Sequence, residues 1–190
     1  MGGGNIAKTK TAPQLEDEVT KLARTLDLEQ VSDVDIDKGL ELIEDVHRYL
    51  EQTNFNKCRR CIAVLGTTGV GKSTLVSLLF GEGKLLVHHE NAYSRVLVAE
   101  KSFPGVDIRS GSASKTLLPG VIRTRINDED VVIFDMPGSH DTRGPFAELV
   151  VHSILKWMLA KHEQMNFLLV ATTPQDGLDW GRNYYVLLIY

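Results

Sequence analysis

The stretch that most constrains this chain is Gly66-Thr67-Thr68-Gly69-Val70-Gly71-Lys72-Ser73. It is preceded by the apolar run Cys61-Ile62-Ala63-Val64-Leu65 and followed by Thr74-Leu75-Val76-Ser77-Leu78-Leu79-Phe80. The pattern reads as strand, loop and helix, and its spacing fits G-x-x-x-x-G-K-[ST] throughout. Glycines in such a loop let the backbone take positive φ and come close to a ligand, so that successive N–H groups can point at phosphate oxygens. Those donors open a helix, whose dipole also favours an anion. The phosphate-binding set is therefore Gly66, Thr67, Thr68, Gly69, Val70, Gly71, Lys72, Ser73 and Thr74. Lys72 would reach the β- and γ-phosphates, and the Ser73 hydroxyl would ligate a bridging Mg²⁺.

The chain as a whole, 190 residues, has the make-up of an ordinary globular protein, with 43% hydrophobic and 24% charged residues. A net charge of −4 supplies no basic field, so a nucleic-acid partner is not expected. No apolar run approaches the roughly 18 residues that span a bilayer, and the N-terminus lacks a secretory apolar region. The expected address is cytoplasmic, with peripheral membrane attachment as the alternative, because Gly2 is the residue that N-myristoylation requires. Ile6 stands where that pattern wants Ser or Thr, and a plain disordered start is the preferred reading. Cys58 and Cys61 form a C-x-x-C, but the pair precedes the strand rather than opening a helix, and no second ligand pair exists for zinc. Cys61 is expected in the strand's core and Cys58 at its edge.

From Pro13 to Leu26 the apolar positions Leu15, Val19, Leu22, Ala23 and Leu26 recur at helical spacing, and a second helix is expected from near Asp33 through Leu50. The sequence leaves open whether these helices pack on each other, on the rest of the chain or on a partner. Asp33, Asp35, Asp37 and Glu44 stand at calcium-loop offsets, yet Lys38 occupies the position that needs glycine, and helix capping explains the same letters. Two short apolar runs, Leu85 to Val87 and Arg95 to Ala99, fit strand or helix. His88 and His89 between them read as solvated loop residues. Gly120 to Ile126 alternates as an edge strand does, and Asn127-Asp128-Glu129-Asp130 turns into the continuous apolar run Val131 to Phe134, a central strand.

That central strand ends in Asp135, at the carboxyl end where open α/β sheets place their ligands. Asp135-Met136-Pro137-Gly138 is a D-x-x-G turn: the carboxylate would hold Mg²⁺ and the Gly138 N–H would meet a γ-phosphate. Two half-sites in this order are far more specific than either alone.

Together, G-T-T-G-V-G-K-S-T-L and V-V-I-F-D-M-P-G resemble the translation-factor-related class of P-loop GTPases, nearest to the branch holding immunity-associated GTPases, septins and chloroplast import GTPases. The resemblance covers roughly residues 60 to 175. It implies a three-layer α/β fold with a mostly parallel sheet and an antiparallel edge strand, here preceded by N-terminal helices. It implies GTP, or another nucleoside triphosphate, as ligand, Mg²⁺ as cofactor, switch-type conformational change and slow GTP hydrolysis. Ser112-Ala113-Ser114-Lys115 is similar to the S-x-T-K of the immunity-associated members, which puts Ser114 at the first switch's metal-binding hydroxyl, with Thr116 in reserve. The second switch would run from Gly138 to Phe146. Where many GTPases carry a water-orienting glutamine or histidine after the D-x-x-G glycine, this chain has Ser139, followed by His140, and these two are the candidate catalytic residues.

The family's guanine-reading N/T-K-x-D motif does not occur before Tyr190. Met165 to Thr172 fits the family's fourth strand, Leu149 to Lys161 the helix before it, and Tyr184 to Tyr190 a strand or helix cut short. The expected organisation is an N-terminal helical segment and linker over 1–57 and a nucleotide domain over 58–190, ending before the base-reading loop. An ATP-binding-cassette protein also uses G-K-S-T-L but needs L-S-G-G-Q, which is absent. Two alternatives to a hydrolase stay open: an ATP-binding protein with this loop, and a non-hydrolysing module in which nucleotide drives pairing with a second copy across the nucleotide face.

Overall fold

The computed structural model describes residues 10–26, 31–52, 60–80, 85–89, 95–99, 117–139, 143–162, 164–172 and 184–189. The chain opens with two helices, α1 (Ala12–Thr25) and α2 (Asp33–Gln52). The Gln14 side chain accepts a hydrogen bond from the Thr11 N–H at 2.9 Å, closing the first turn of α1. Ser32 and Asp35 do the same for α2: the Asp35 carboxylate accepts from the Ser32 N–H and hydroxyl, and the Asp35 N–H donates back to Ser32 Oγ. Asp33, Asp35, Asp37 and Glu44 thus lie within one continuous helix, which leaves no calcium loop.

The strand that precedes the glycine-rich loop is β1 (Arg60–Leu65), and α3 (Lys72–Phe80) follows it. Next come β2 (Leu85–His89) and β3 (Arg95–Ala99), an antiparallel pair that forms a separate two-stranded sheet. This corrects the loop reading of His88 and His89: they are the last residues of β2, opposite Val96 and Arg95. Val96, opposite His88, is β-branched and favours a strand that the histidines alone do not announce. β4 (Gly120–Ile126) and β5 (Glu129–Asp135) form the expected hairpin. Its two central residues, Asn127 and Asp128, both have positive φ, 50° and 64°, the twist a tight hairpin needs. The remaining elements are α4 (Pro145–Lys161), β6 (Met165–Thr172) and β7 (Tyr184–Ile189).

The main sheet has the order β4-β5-β1-β6-β7. Its three central strands are parallel and β4 is antiparallel to β5, as expected of this α/β class. The tail from Tyr184 resolves as a strand, antiparallel to β6, which gives the sheet a second antiparallel edge. Period-two alternation sorts the central strands onto two faces. Cys61 and Ala63 of β1 join Val132 and Phe134 of β5 in a core shared with α1, α2 and α4. Val64, Val131, Ile133, Leu168 and Val170 face the other way, with Val76 of α3. Helices on both faces make three layers. The N-terminal helices therefore pack on each other and on α4, the question that their amphipathic pattern left open.

Cys61 is fully buried, and its Sγ lies 3.3 Å from His162 Nδ1, as a core residue of β1 should be placed. Cys58 and Gly2 fall outside the described residues. No helix among the described residues is long and apolar enough to cross a membrane.

Candidate functional site

The site exists because β1 and β5 are parallel neighbours, with Val64 paired to Asp135. The loop after β1 and the turn after β5 therefore leave the sheet side by side, at its carboxyl edge. The Met136 N–H donates to the Val64 carbonyl at 3.3 Å and extends that pairing past the strand. Asp135 continues the row of Val131 and Ile133, so alternation turns it toward α3, the helix that carries Lys72 and Ser73 at its start.

The loop is wound tightly. A Cβ on Gly66 would stand 2.3 Å from the Val170 carbonyl oxygen of β6, and φ there is +151°, so only glycine fits. Val70 is 3% exposed and anchors the loop in the α3-side core, which leaves its backbone for a ligand. The Leu75 N–H donates to the Gly71 carbonyl at 2.9 Å, starting α3 directly at the loop. Among the loop residues read from the sequence, Gly66 through Thr74 thus form one continuous turn into a helix N-terminus, as phosphate binding requires.

Lys72 is 7% exposed. Its ammonium donates to the carbonyls of Gly66 at 3.0 Å and Thr67 at 2.9 Å, folding back over the loop it belongs to. Burial pushes its pKa down, and the charge of Asp135 pulls it partly back up. Asp135 is 1% exposed, and neither of its oxygens has a hydrogen-bond partner. Burial pushes its pKa up, and the nearby Ser73 hydroxyl, which does not meet hydrogen-bond geometry here, and then the Lys72 charge pull it partly back down. A desolvated carboxylate with both oxygens unused is costly unless a cation completes it. The donor set fits Mg²⁺: one carboxylate, one hydroxyl from Ser73, and remaining positions for water and phosphate oxygens. No cluster of three or more His, Cys, Asp or Glu that could hold a metal exists among the described residues.

The D-x-x-G turn lies directly on the loop. A Cβ on Gly138 would stand 2.6 Å from both N and Cα of Thr68, which excludes every other residue. Thr67 and Ser139 form a parallel bridge. The Thr68 N–H donates to the Ser139 carbonyl at 3.1 Å, and the Ser139 N–H donates to the Gly66 carbonyl at 3.3 Å. The sequence shows both segments but not this pairing, because nothing local in either says that β1 and β5 are neighbours. Ser139 is thereby brought to the loop, whereas Ser114, Thr116 and His140 fall outside the described residues.

No family model matches this chain. No solved structure matches it either. Among curated proteins, GTPase Der of Cellvibrio japonicus (strain Ueda107) is 30% identical over 138 residues, which cover 66% of this chain. The chain spans 28% of the length of that relative. The likeness, though weak, points to a P-loop GTPase. It does not reach to a particular class of them.

Proposed function

We propose that this chain is a Mg²⁺-dependent GTP-binding switch protein that hydrolyses GTP slowly. The observation that carries the reading is the buried, unpartnered carboxylate of Asp135 beside Lys72 and Ser73 at the N-terminus of α3. In that role the loop N–H groups hold the phosphates, and Lys72 leaves the Gly66 and Thr67 carbonyls for the β- and γ-oxygens. Mg²⁺ would be held by Ser73 and, directly or through water, by Asp135, with Ser114 or Thr116 adding a hydroxyl in the triphosphate form. The metal supplies charge neutralisation on the transferring phosphoryl group. Gly138 offers its N–H to the γ-phosphate, and Ser139 and His140 are the side chains available to orient water. GTP is proposed over ATP on the likeness to GTPase Der, whose name states a GTPase.

A second reading is favoured by one observation. Ser139, which stands where many GTPases have a longer water-orienting side chain, has both its backbone N–H and its carbonyl engaged by the loop. A non-hydrolysing module that pairs with a second copy needs no water positioned there. Binding of a fluorescent GTP with and without Mg²⁺ tests the shared site. Single-turnover hydrolysis at low and high protein concentration then separates the readings: turnover in either condition supports the GTPase, and intact binding with no turnover in both sinks it.

A further inference from the structure

The N-terminal helices do more than cover α4. They touch the chain at two places, one on each side of the D-x-x-G turn in sequence. On the near side, Glu16 of α1 accepts a hydrogen bond from the Leu117 N–H at 3.4 Å, and Leu117 and its neighbour Leu118 are buried in the core that α1 lines with Leu15, Val19 and Leu22. These leucines lead from the segment holding Ser114 and Thr116 into β4. On the far side, the Ala23 carbonyl near the end of α1 lies 3.1 Å from the point a Cβ on Gly144 would occupy, and Gly144 has φ of +121°. Next to it, Gly39 of α2 leaves so little room that its own Cβ would stand 2.9 Å from Cε2 of Phe146. Phe146 is itself 7% exposed and belongs to the same core. Gly144 and Phe146 end the segment that begins at Gly138.

The glycine contacts are tight, and Leu117 is fully buried against the helices. Interiors at this density do not deform continuously, so a displacement of Leu117 or Phe146 by an ångström or more must move α1 and α2 or lose contact with them. We infer that the α1–α2 pair is an intramolecular regulator, which packs differently against the triphosphate and diphosphate forms and thereby sets their relative affinity. Linkage makes this reciprocal: whatever loosens the pair shifts nucleotide preference, and the nucleotide's γ-phosphate shifts the packing of the pair. The inference rests on the nucleotide-switch reading given above.

The test uses the full chain, Mg²⁺, GDP and a non-hydrolysable GTP analogue. Amide hydrogen exchange is compared between the two bound forms of the wild type, and both affinities are measured for the wild type and for Gly39→Ala, whose methyl group must displace Phe146. The expected results are a change in exchange of about fivefold or more across Leu15 to Ala23, and a change of similar size in the ratio of the two affinities in the variant. Either result supports the regulator. Identical exchange in the two forms together with an unchanged affinity ratio overturns it, including the case in which Gly39→Ala weakens both nucleotides equally through stability alone. If Gly39→Ala does not fold, the exchange comparison decides by itself. A wild type that binds neither nucleotide overturns the switch reading and this inference with it, whereas binding without any response overturns only the inference.

Discussion

Two buried aspartates sit in different layers of this protein, one helical and one in the sheet, and their surroundings could hardly differ more. Asp45, on α2, is 9% exposed and meets two cations: Lys10 Nζ at 2.9 Å from one oxygen and the Arg48 guanidinium at the other. Asp135, on β5, is 1% exposed and has no hydrogen bond at either oxygen. Burial of a carboxylate is tolerated in a structural role when its lone pairs are used, and Asp45 obeys that rule. Asp135 breaks it at the end of a strand facing a helix N-terminus, next to a lysine whose ammonium donates to two loop carbonyls. The difference is between two carboxylates: Asp45 is completed by cations of its own layer, and Asp135 leaves both oxygens for something that comes from outside.

The largest expected effect is on the ligand. Lys72→Ala removes a cation beside Asp135 and the partner of a phosphate chain, and should weaken nucleotide binding on the order of a hundredfold, as loss of a charge-assisted contact of roughly 3 kcal/mol implies. Titration calorimetry with the nucleotide and Mg²⁺ reads it directly, and an unchanged affinity would mean that the carboxyl edge is not the site. Next in size is Gly138→Ala. With the Thr68 backbone 2.6 Å from the added methyl, the turn must lift off the loop and lose the Thr68 and Ser139 hydrogen bonds. Overpacking of this kind costs about 1–3 kcal/mol, measurable by urea denaturation. No loss of stability would show that the loop and the turn are not in contact.

Much of this site was legible because its parts are local. The glycine spacing, the lysine and the strand-terminal aspartate each declare a chemical task within a few residues, and the continuous apolar run Val131 to Phe134 carries the fold beneath them. What was not legible depends on neighbours distant in sequence. Nothing in α1 or α2 says that their apolar stripes meet α4, because an amphipathic stripe specifies burial without specifying against what. The same holds for the Thr68–Ser139 pairing, which follows from strand order, and for β7, whose apolar run fits a strand or a buried helix segment equally well until it pairs with β6. His88 and His89 misled for the opposite reason: their own polarity points to solvent, and the strand is set by Val96 and its neighbours across the sheet.

The aspartate comparison sharpens into a pair of substitutions of opposite sign. Asp45→Asn keeps the shape but removes the charge that Lys10 and Arg48 meet, and should destabilise the protein by about 1 kcal/mol, since both cations are partly exposed to solvent. Asp135→Asn removes a desolvated charge and should stabilise the ligand-free protein by about 1 kcal/mol, or about 2–4 °C in Tm, while abolishing the Mg²⁺ dependence of nucleotide binding. If both variants lose stability alike, Asp135 is a structural group and the contrast falls.

The smallest effect is the pH dependence of the same charge. Burial raises the folded-state pKa of Asp135 above its ordinary value of 3.8, so the folded protein holds this proton more tightly than the unfolded chain does. Its contribution to stability is therefore fully present below that ordinary value and is lost as pH rises through the raised one. Lys72, whose pKa is lowered, acts on the alkaline side: its penalty persists while it is charged and lifts as pH climbs past its depressed folded value. Urea denaturation of ligand-free protein from pH 4 upward should accordingly show the wild type losing stability relative to Asp135→Asn, at no more than about 1.4 kcal/mol per pH unit. With nucleotide and Mg²⁺ present the sign should reverse, because the metal binds only the ionised carboxylate. A difference between wild type and variant that stays flat in the ligand-free protein would mean that Asp135 is ionised at no cost, and its unused oxygens would then no longer argue for a cation.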